Sequence, residues 1–480
     1  MLKKFLLKKV INFIKNKTEI SEREAKIATK LLIASKLYKA FPVPLTLAKG
    51  KTEKEIDEIR KNIIQNAKDH LKEKRGPYGV AQRFLKEWHP NCKEKFIKNF
   101  VYEGLIRKRK IREKIMKEGS YTPTTVLISP LMRCNYRCVG CYAQNYTKAD
   151  DMPEKLLERI IKEGEEMGVH FYTILGGEPL LIFDRIYRIF KKYNDTAWAQ
   201  VFTNASLLTE DVAKKLQELG NIFIQFSVEG FEKETDERRG KGAFKRTIKA
   251  MEICQKYGIP HGFSVTFTSK NADVVTSDEF IDLMIEKGCI WGWYFLYMPV
   301  FGEKEDISLM PTPEQRYKLW KRHLEIRSEK PILVIDFWGD APLVGGCIAA
   351  KSYIHINNKG DVEPCIFTHF AQDNIKNKSL KEVMASPLFK KYREIQPYDK
   401  NLLLPCPLID HPKIIRQLVK KFNLYPTHPQ AENFIYDLAP KIDKYAKKVH
   451  PLMDKVWKEN YDPSYEIHSC PWCYKNKKLT

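Results

Sequence analysis

No stretch of this 480-residue sequence approaches the roughly 20 consecutive apolar residues that a membrane-spanning helix needs. The longest, such as residues 31–35, are short. A secretory signal is not expected either, because Lys3, Lys4, Lys8, Lys9 and Lys15 interrupt the apolar positions of the N-terminus. Internal repeats and low-complexity segments are absent. Acidic residues are also short, with 60 Asp and Glu against 83 Lys and Arg, a net charge of +23. With 43% hydrophobic and 30% charged residues, the chain has the profile of a folded protein of two or three domains. A transmembrane protein, a disordered tail and a small disulfide-stapled domain are thereby excluded.

The charge imbalance is local. Residues 1–120 hold 32 basic and 14 acidic residues, +18 of the total, which leaves +5 for residues 121–480. A thermophile-like bias would raise both signs together, so the excess reads as a surface for an anionic partner. Leu2, Phe5, Leu6, Val10, Phe13 and Ile14 recur at helical spacing with lysines between. Such a helix could lie in a membrane interface or pack on the protein's own core. Helical patterns continue over 22–38, 53–74 and 93–117, punctuated by Pro42, Pro44, Gly76 and Pro77. They read as a basic helical domain over 1–120.

From Tyr121 the pattern alternates. Strands are predicted at 125–129, 171–175, 198–203, 222–228, 262–268 and 292–298, with helices at 153–167, 183–193, 210–219, 244–257 and 277–287. Six strand–helix steps imply a parallel sheet in an α/β fold and, for six units, a partial (βα)6 TIM barrel over 121–305. Functional residues then belong at the C-terminal ends of the strands. A helical linker (306–345) leads to a cysteine-bearing C-terminal region (346–480).

Eleven cysteines do not make a disulfide scaffold in a long chain with an odd count and no signal peptide. Metal or cluster ligation is the better reading. The sharpest pattern is Arg133-Cys134-Asn135-Tyr136-Arg137-Cys138-Val139-Gly140-Cys141-Tyr142, a C-x3-C-x2-C run directly after the first strand. Three thiolates at this spacing can hold a 4Fe–4S cube and leave its fourth iron open. A structural zinc site would instead take four ligands, usually as paired C-x2-C units.

This run resembles the radical S-adenosylmethionine (SAM) enzymes, over about 180 residues. The resemblance implies that Cys134, Cys138 and Cys141 bind the cluster. It further implies that Gly176-Gly177-Glu178-Pro179 holds the methionine amino group, and that Asn204, Ser227 and Glu229 contact the ribose and methionine. Arg238 or Arg239 would pair with the methionine carboxylate, Asn271 would add a polar contact, and Tyr142 follows the last cysteine. One departure is Gly140: that position is usually aromatic and packs near the adenine, so this contact must come partly from elsewhere. The implied chemistry is reductive cleavage of SAM to a 5′-deoxyadenosyl radical, which takes hydrogen from an unactivated carbon, with a low-potential donor such as ferredoxin or flavodoxin.

A second set follows. Cys347 and Cys365 flank a predicted hairpin with its turn at Lys359-Gly360, and Cys406, Cys470 and Cys473 lie beyond. This resembles a SPASM or twitch domain and implies one auxiliary 4Fe–4S cluster on Cys347, Cys365 and Cys406 with Cys470 or Cys473. An open position or His369 are alternatives, as is a separate C-x2-C at Cys470 and Cys473. Cys92, Cys254 and Cys289 read as buried thiols.

For the substrate, residues 345–374 and 405–429 resemble radical SAM proteins of anaerobes that join alkyl chains into membrane-spanning lipids, including the archaeal tetraether bridge. Together with the basic N-terminus, this implies a thermophile-type lipid C–C bond-forming enzyme at the inner face of the cytoplasmic membrane, acting on anionic lipids. The alternative is a SPASM-type peptide- or protein-modifying enzyme. Nucleic acid is not the expected partner, since aromatics are not interleaved with the lysines.

Overall fold

The computed structural model describes residues 51–70, 76–143, 151–299 and 306–461, with a few positions between 11 and 24. Cys470, Cys473 and most of the amphipathic and helical text before residue 50 lie outside the described residues.

All six predicted strands form: β1 (Thr125–Ile128), β2 (Phe171–Ile174), β3 (Ala199–Thr203), β4 (Ile222–Ser227), β5 (His261–Phe267) and β6 (Trp291–Leu296). They pair in sequence order and in parallel, as short strand–helix–strand crossovers dictate. One strand, and the docking of the predicted 359–360 hairpin on this sheet, were not expected. A seventh parallel strand, β7 (Leu333–Asp336), extends the sheet beyond β6. On the other edge, β8 (Tyr353–Ile356) pairs in parallel with β1, and β9 (Asp361–Glu363) folds back on β8 around Gly360. The C-terminal hairpin therefore continues the core sheet, so the boundary expected between 121–305 and 346–480 is crossed by backbone hydrogen bonds.

The N-terminal part is helical where described: α1 (Glu53–His70), α2 (Gly76–Glu87), α3 (Pro90–Lys95), a wider π-type stretch (Phe96–Arg107) and α4 (Lys108–Lys117). Its aromatic face closes the N-terminal end of the sheet. Phe84, Trp88, Phe96 and Phe100 pack against Phe171, Trp198, Phe223 and Trp291. Phe96 and Phe100 stack at 5.1 Å, and Trp198 meets Phe96 edge-on at 5.5 Å. Several cations expected to face an outside partner are instead used here. Arg83 donates to the carbonyls of Ile285 and Cys289 at 3.0 and 2.7 Å, capping the end of the helix Asp278–Glu286. Lys108 is fully buried against Glu165, at 2.5 Å, and the Thr196 carbonyl.

Candidate active site

The five residues before Cys134 run from the end of β1 across the C-terminal ends of the strands. There the three cysteines of the first run line one cavity of about 270 Å³. Every strand from β1 to β6 contributes to its wall: Thr125 and Leu127, Thr173, Gln200 and Phe202, Ser227, Ser264 and Thr266, and Trp293 and Phe295. Alternation along each strand explains why these residues, two apart, share a face.

The polar groups expected around SAM gather at the cysteine end. Tyr142 Oη accepts from Gly176 N at 3.1 Å and donates to Gly176 O at 3.2 Å, fixing the glycine pair beside the cysteine loop. A Cβ on Gly177 would stand 2.0 Å from the Arg133 carbonyl, so only glycine permits this approach. Asn204 Nδ2 points at Cys134 Sγ, 3.6 Å away, and Tyr136 N donates to the same sulfur at 3.4 Å. Arg238 and Arg239 both line the cavity and share the buried Glu229, at 2.5 Å from Arg238 and 2.8 Å from Arg239 Nε. Two guanidinium groups on one carboxylate leave a net positive charge facing the cavity, which suits a carboxylate.

Not every expected residue reaches the wall. Glu178 is fully buried, and its carboxylate accepts from Leu180 N at 2.9 Å, Thr203 Oγ1 at 2.7 Å and Asn204 N at 2.8 Å. Burial raises its pKa against these bonds. Glu178 thus ties the end of β3 to the Gly176-Gly177 turn. Asn271 likewise bonds inward, to Thr268 N and to the carbonyls of Glu229 and Thr266. Ser227 lines the cavity.

The Gly140 departure finds its complement in Tyr297, just past β6. Gly140 has φ +62°, and a Cβ there would meet Cε2 of Tyr297 at 2.5 Å. The space that a side chain at this position would enter is filled by the Tyr297 ring. Sequence reasoning did not find Tyr297, nor the aromatic wall of Phe202, Trp293, Phe295 and Phe337. The only signal was the density of aromatics in the sixth predicted strand.

The cysteine site offers three sulfur donors to an iron–sulfur cluster. None of its three cysteines is in a disulfide. Burial first, then Glu178, Cys141 and Cys138, push the Cys134 thiol up to about 11. Among the described residues, no three His, Cys, Asp or Glu groups are placed to hold a single metal ion. A cube, by contrast, gives each thiolate its own iron. Three thiols with nearby N–H donors fit that donor set.

The second set also gathers. Cys347, Cys365 and Cys406 are near enough that each of the buried phenols Tyr353, Tyr392 and Tyr398 is affected by at least two of them. Burial pushes Cys347 up to about 12 and Cys365 up to about 11. Tyr353 Oη donates to Cys365 Sγ at 2.8 Å, and Leu408 N donates to Cys406 Sγ at 3.4 Å. The Thr368 hydroxyl lies between the Cys365 thiol and the Tyr392 hydroxyl and bonds both. Three gathered thiols with hydroxyl and N–H donors beside them fit a group that brings sulfide and thiolate acceptors. His369 faces Glu363, 3.8 Å away, and the His428 ring at 5.4 Å.

The two sites are linked. Ser129, at the end of β1, bonds His355 Nε2 at 2.7 Å, and His355 Nδ1 bonds Glu363 at 2.5 Å. Phe367 meets Tyr142 edge-on at 6.2 Å.

Comparisons with known proteins agree with these motifs. The radical SAM superfamily pattern matches residues 128–284, and the SPASM iron–sulfur cluster-binding domain matches 347–407. An AdoMet-dependent heme synthase of Methanosarcina barkeri is 23% identical over 289 residues, 54% of this chain and 82% of that protein. Mycofactocin maturase MftC of Mycolicibacterium smegmatis is 28% identical over 284 residues, 55% of this chain and 70% of that protein. Streptococcus suis SuiB bound to S-adenosylmethionine superposes with a TM-score of 0.52 at 23% identity, over 64% of this chain and 77% of that one. The named relatives lend no support to the lipid-joining resemblance. No helix among the described residues is long and apolar enough to cross a membrane. The chain carries a radical SAM domain and a SPASM domain, with SAM and 4Fe–4S clusters as cofactors.

Proposed function

We propose that this radical SAM enzyme is a maturase: it takes a hydrogen atom from an unactivated carbon of an apolar side chain in a peptide or protein. Its kinship with MftC supports the substrate class. The observation that carries the site assignment is one cavity lined both by Cys134, Cys138 and Cys141 and by the aromatic residues Phe202, Trp293, Phe295 and Phe337. A cluster bound there supplies the electron for reductive cleavage of SAM, drawn from a low-potential donor.

The chain's own residues do the positioning. Gly176 and Gly177 present main chain to the methionine amino group, braced from behind by Glu178. Arg238 and Arg239 take its carboxylate, Asn204 and Ser227 face the ribose, and Tyr297 and Tyr142 supply rings. Glu229 and Asn271 hold this set in place from behind the wall. Phe202, Trp293, Phe295 and Phe337 exclude water and seat the apolar group, so that the radical meets one C–H bond. The six steps read as a partial barrel around this axis. Cys347, Cys365 and Cys406 hold the auxiliary cluster.

A second reading is favoured by the apolar depth of the cavity, which reaches Thr125 and Phe171 at the N-terminal ends of their strands: an alkyl chain of a lipid in place of the side chain. Deuterium transfer separates them. Reduced holoenzyme with SAM is given peptide, polar-lipid and porphyrin fractions from fully deuterated cells, and 5′-deoxyadenosine is weighed by mass spectrometry. Deuterated 5′-deoxyadenosine with the peptide fraction is expected. The label appearing only with lipid or porphyrin would overturn the maturase reading.

A further inference from the structure

Tyr353 belongs to both sites at once. It opens β8, and its register opposite Thr125 of β1 fixes its backbone to the core sheet. Its ring lines the reaction cavity beside Ile348 and Ile366, with Phe337 packed edge-on at 6.1 Å. Its hydroxyl donates at 2.8 Å to the Sγ of Cys365, a residue outside that lining. At 5% exposure it is shielded from solvent, so this bond has little competition from water. One phenol therefore forms part of the wall between the seat of the substrate and the auxiliary thiols.

A hydrogen bond to a cluster's thiolate stabilises negative charge on sulfur. The reduced state carries one more negative charge than the oxidised state, so the bond favours reduction and raises the potential. We propose that Tyr353 is a positioning residue that sets the potential of the auxiliary cluster and forms its contact with the reaction cavity. This rests on the reading that Cys365 ligates that cluster.

The test uses the reconstituted full chain with both clusters. Tyr353→Phe removes one hydroxyl and keeps the ring. In an EPR-monitored redox titration, the auxiliary signal of this variant is expected to move to more negative potential, with iron content and the SAM-responsive signal unchanged. The expected size is about tenfold in the reduction equilibrium, about 59 mV for one electron. An unchanged potential with full iron would overturn the proposal. So would loss of the auxiliary iron from a folded variant, because the phenol would then be an anchor. Wild-type protein provides a check that needs no variant. After transfer to D2O, the reduced auxiliary cluster is expected to show an exchangeable-deuteron coupling, and its absence would also overturn the proposal. Cys365→Ala separates the two levels, since unchanged iron there would remove Cys365 as a ligand and leave the Tyr353 result without a cluster to act on.

Discussion

At the residue scale, the site depends on groups that touch SAM and on groups that hold them. Gly140 and Tyr297 are complementary. Gly140→Ala puts a Cβ into the Tyr297 ring at a positive φ and is expected to weaken SAM binding at least tenfold by equilibrium dialysis. The double variant with Tyr297→Leu should recover part of that loss, as contacting residues couple. Glu178→Gln places an amide N–H against backbone donors that the carboxylate now accepts, costing about 1–3 kcal/mol. The expected outcome is a lower melting temperature and weaker SAM binding with the iron count retained. The cysteines, the glycine pair and the arginines were legible because their chemistry is rare and local. Tyr297 was not, because only the fold brings it against Gly140. Glu178 was legible as a residue but not in its action, since its inward bonds depend on where β3 ends.

At the element scale, period-two strands and capped helices made the core readable nearly to the residue. The stop after β6 was misread: β7 lies inside 306–345, which was read as a helical linker throughout. The pairing of β8 with β1 was hidden for another reason, since nothing local encodes a register between segments so far apart in sequence. The N-terminal helices carry a pH dependence. His170 bonds the Phe100 carbonyl at 2.8 Å, and its ring packs where Gly104 lacks a Cβ. Burial, then Arg112 and Lys108, lower its pKa from 6.5 to about 3. The folded chain keeps His170 neutral while the unfolded chain takes up a proton below pH 6.5. Stability from this group is thus intact above pH 6.5 and falls by up to about 1.4 kcal/mol per unit as pH drops toward 3. Melting followed from pH 7 to 4 should show this slope, and His170→Gln should flatten it.

At the scale of the whole molecule, one sheet joins the radical SAM region to the SPASM hairpin, and the basic helices close the opposite end. Some of the cations read as a surface for an outside partner serve inside, as Arg83 and Lys108 do, which charge counting could not distinguish. The apolar cavity makes coupling the quantity to watch. Phe202→Ala is expected to lower the ratio of modified substrate to 5′-deoxyadenosine about tenfold, since misplacement of the reacting carbon is costly. Mass spectrometry of both products checks this.

If Cys134, Cys138 and Cys141 support radical cleavage of SAM, anaerobically reconstituted wild type and Cys138→Ala, each given dithionite and SAM, must differ in the 5′-deoxyadenosine they release. Formation by wild type that requires the reductant, with none from the variant, is expected. No 5′-deoxyadenosine from iron-replete wild type, or equal amounts from both, would contradict this role of the three cysteines.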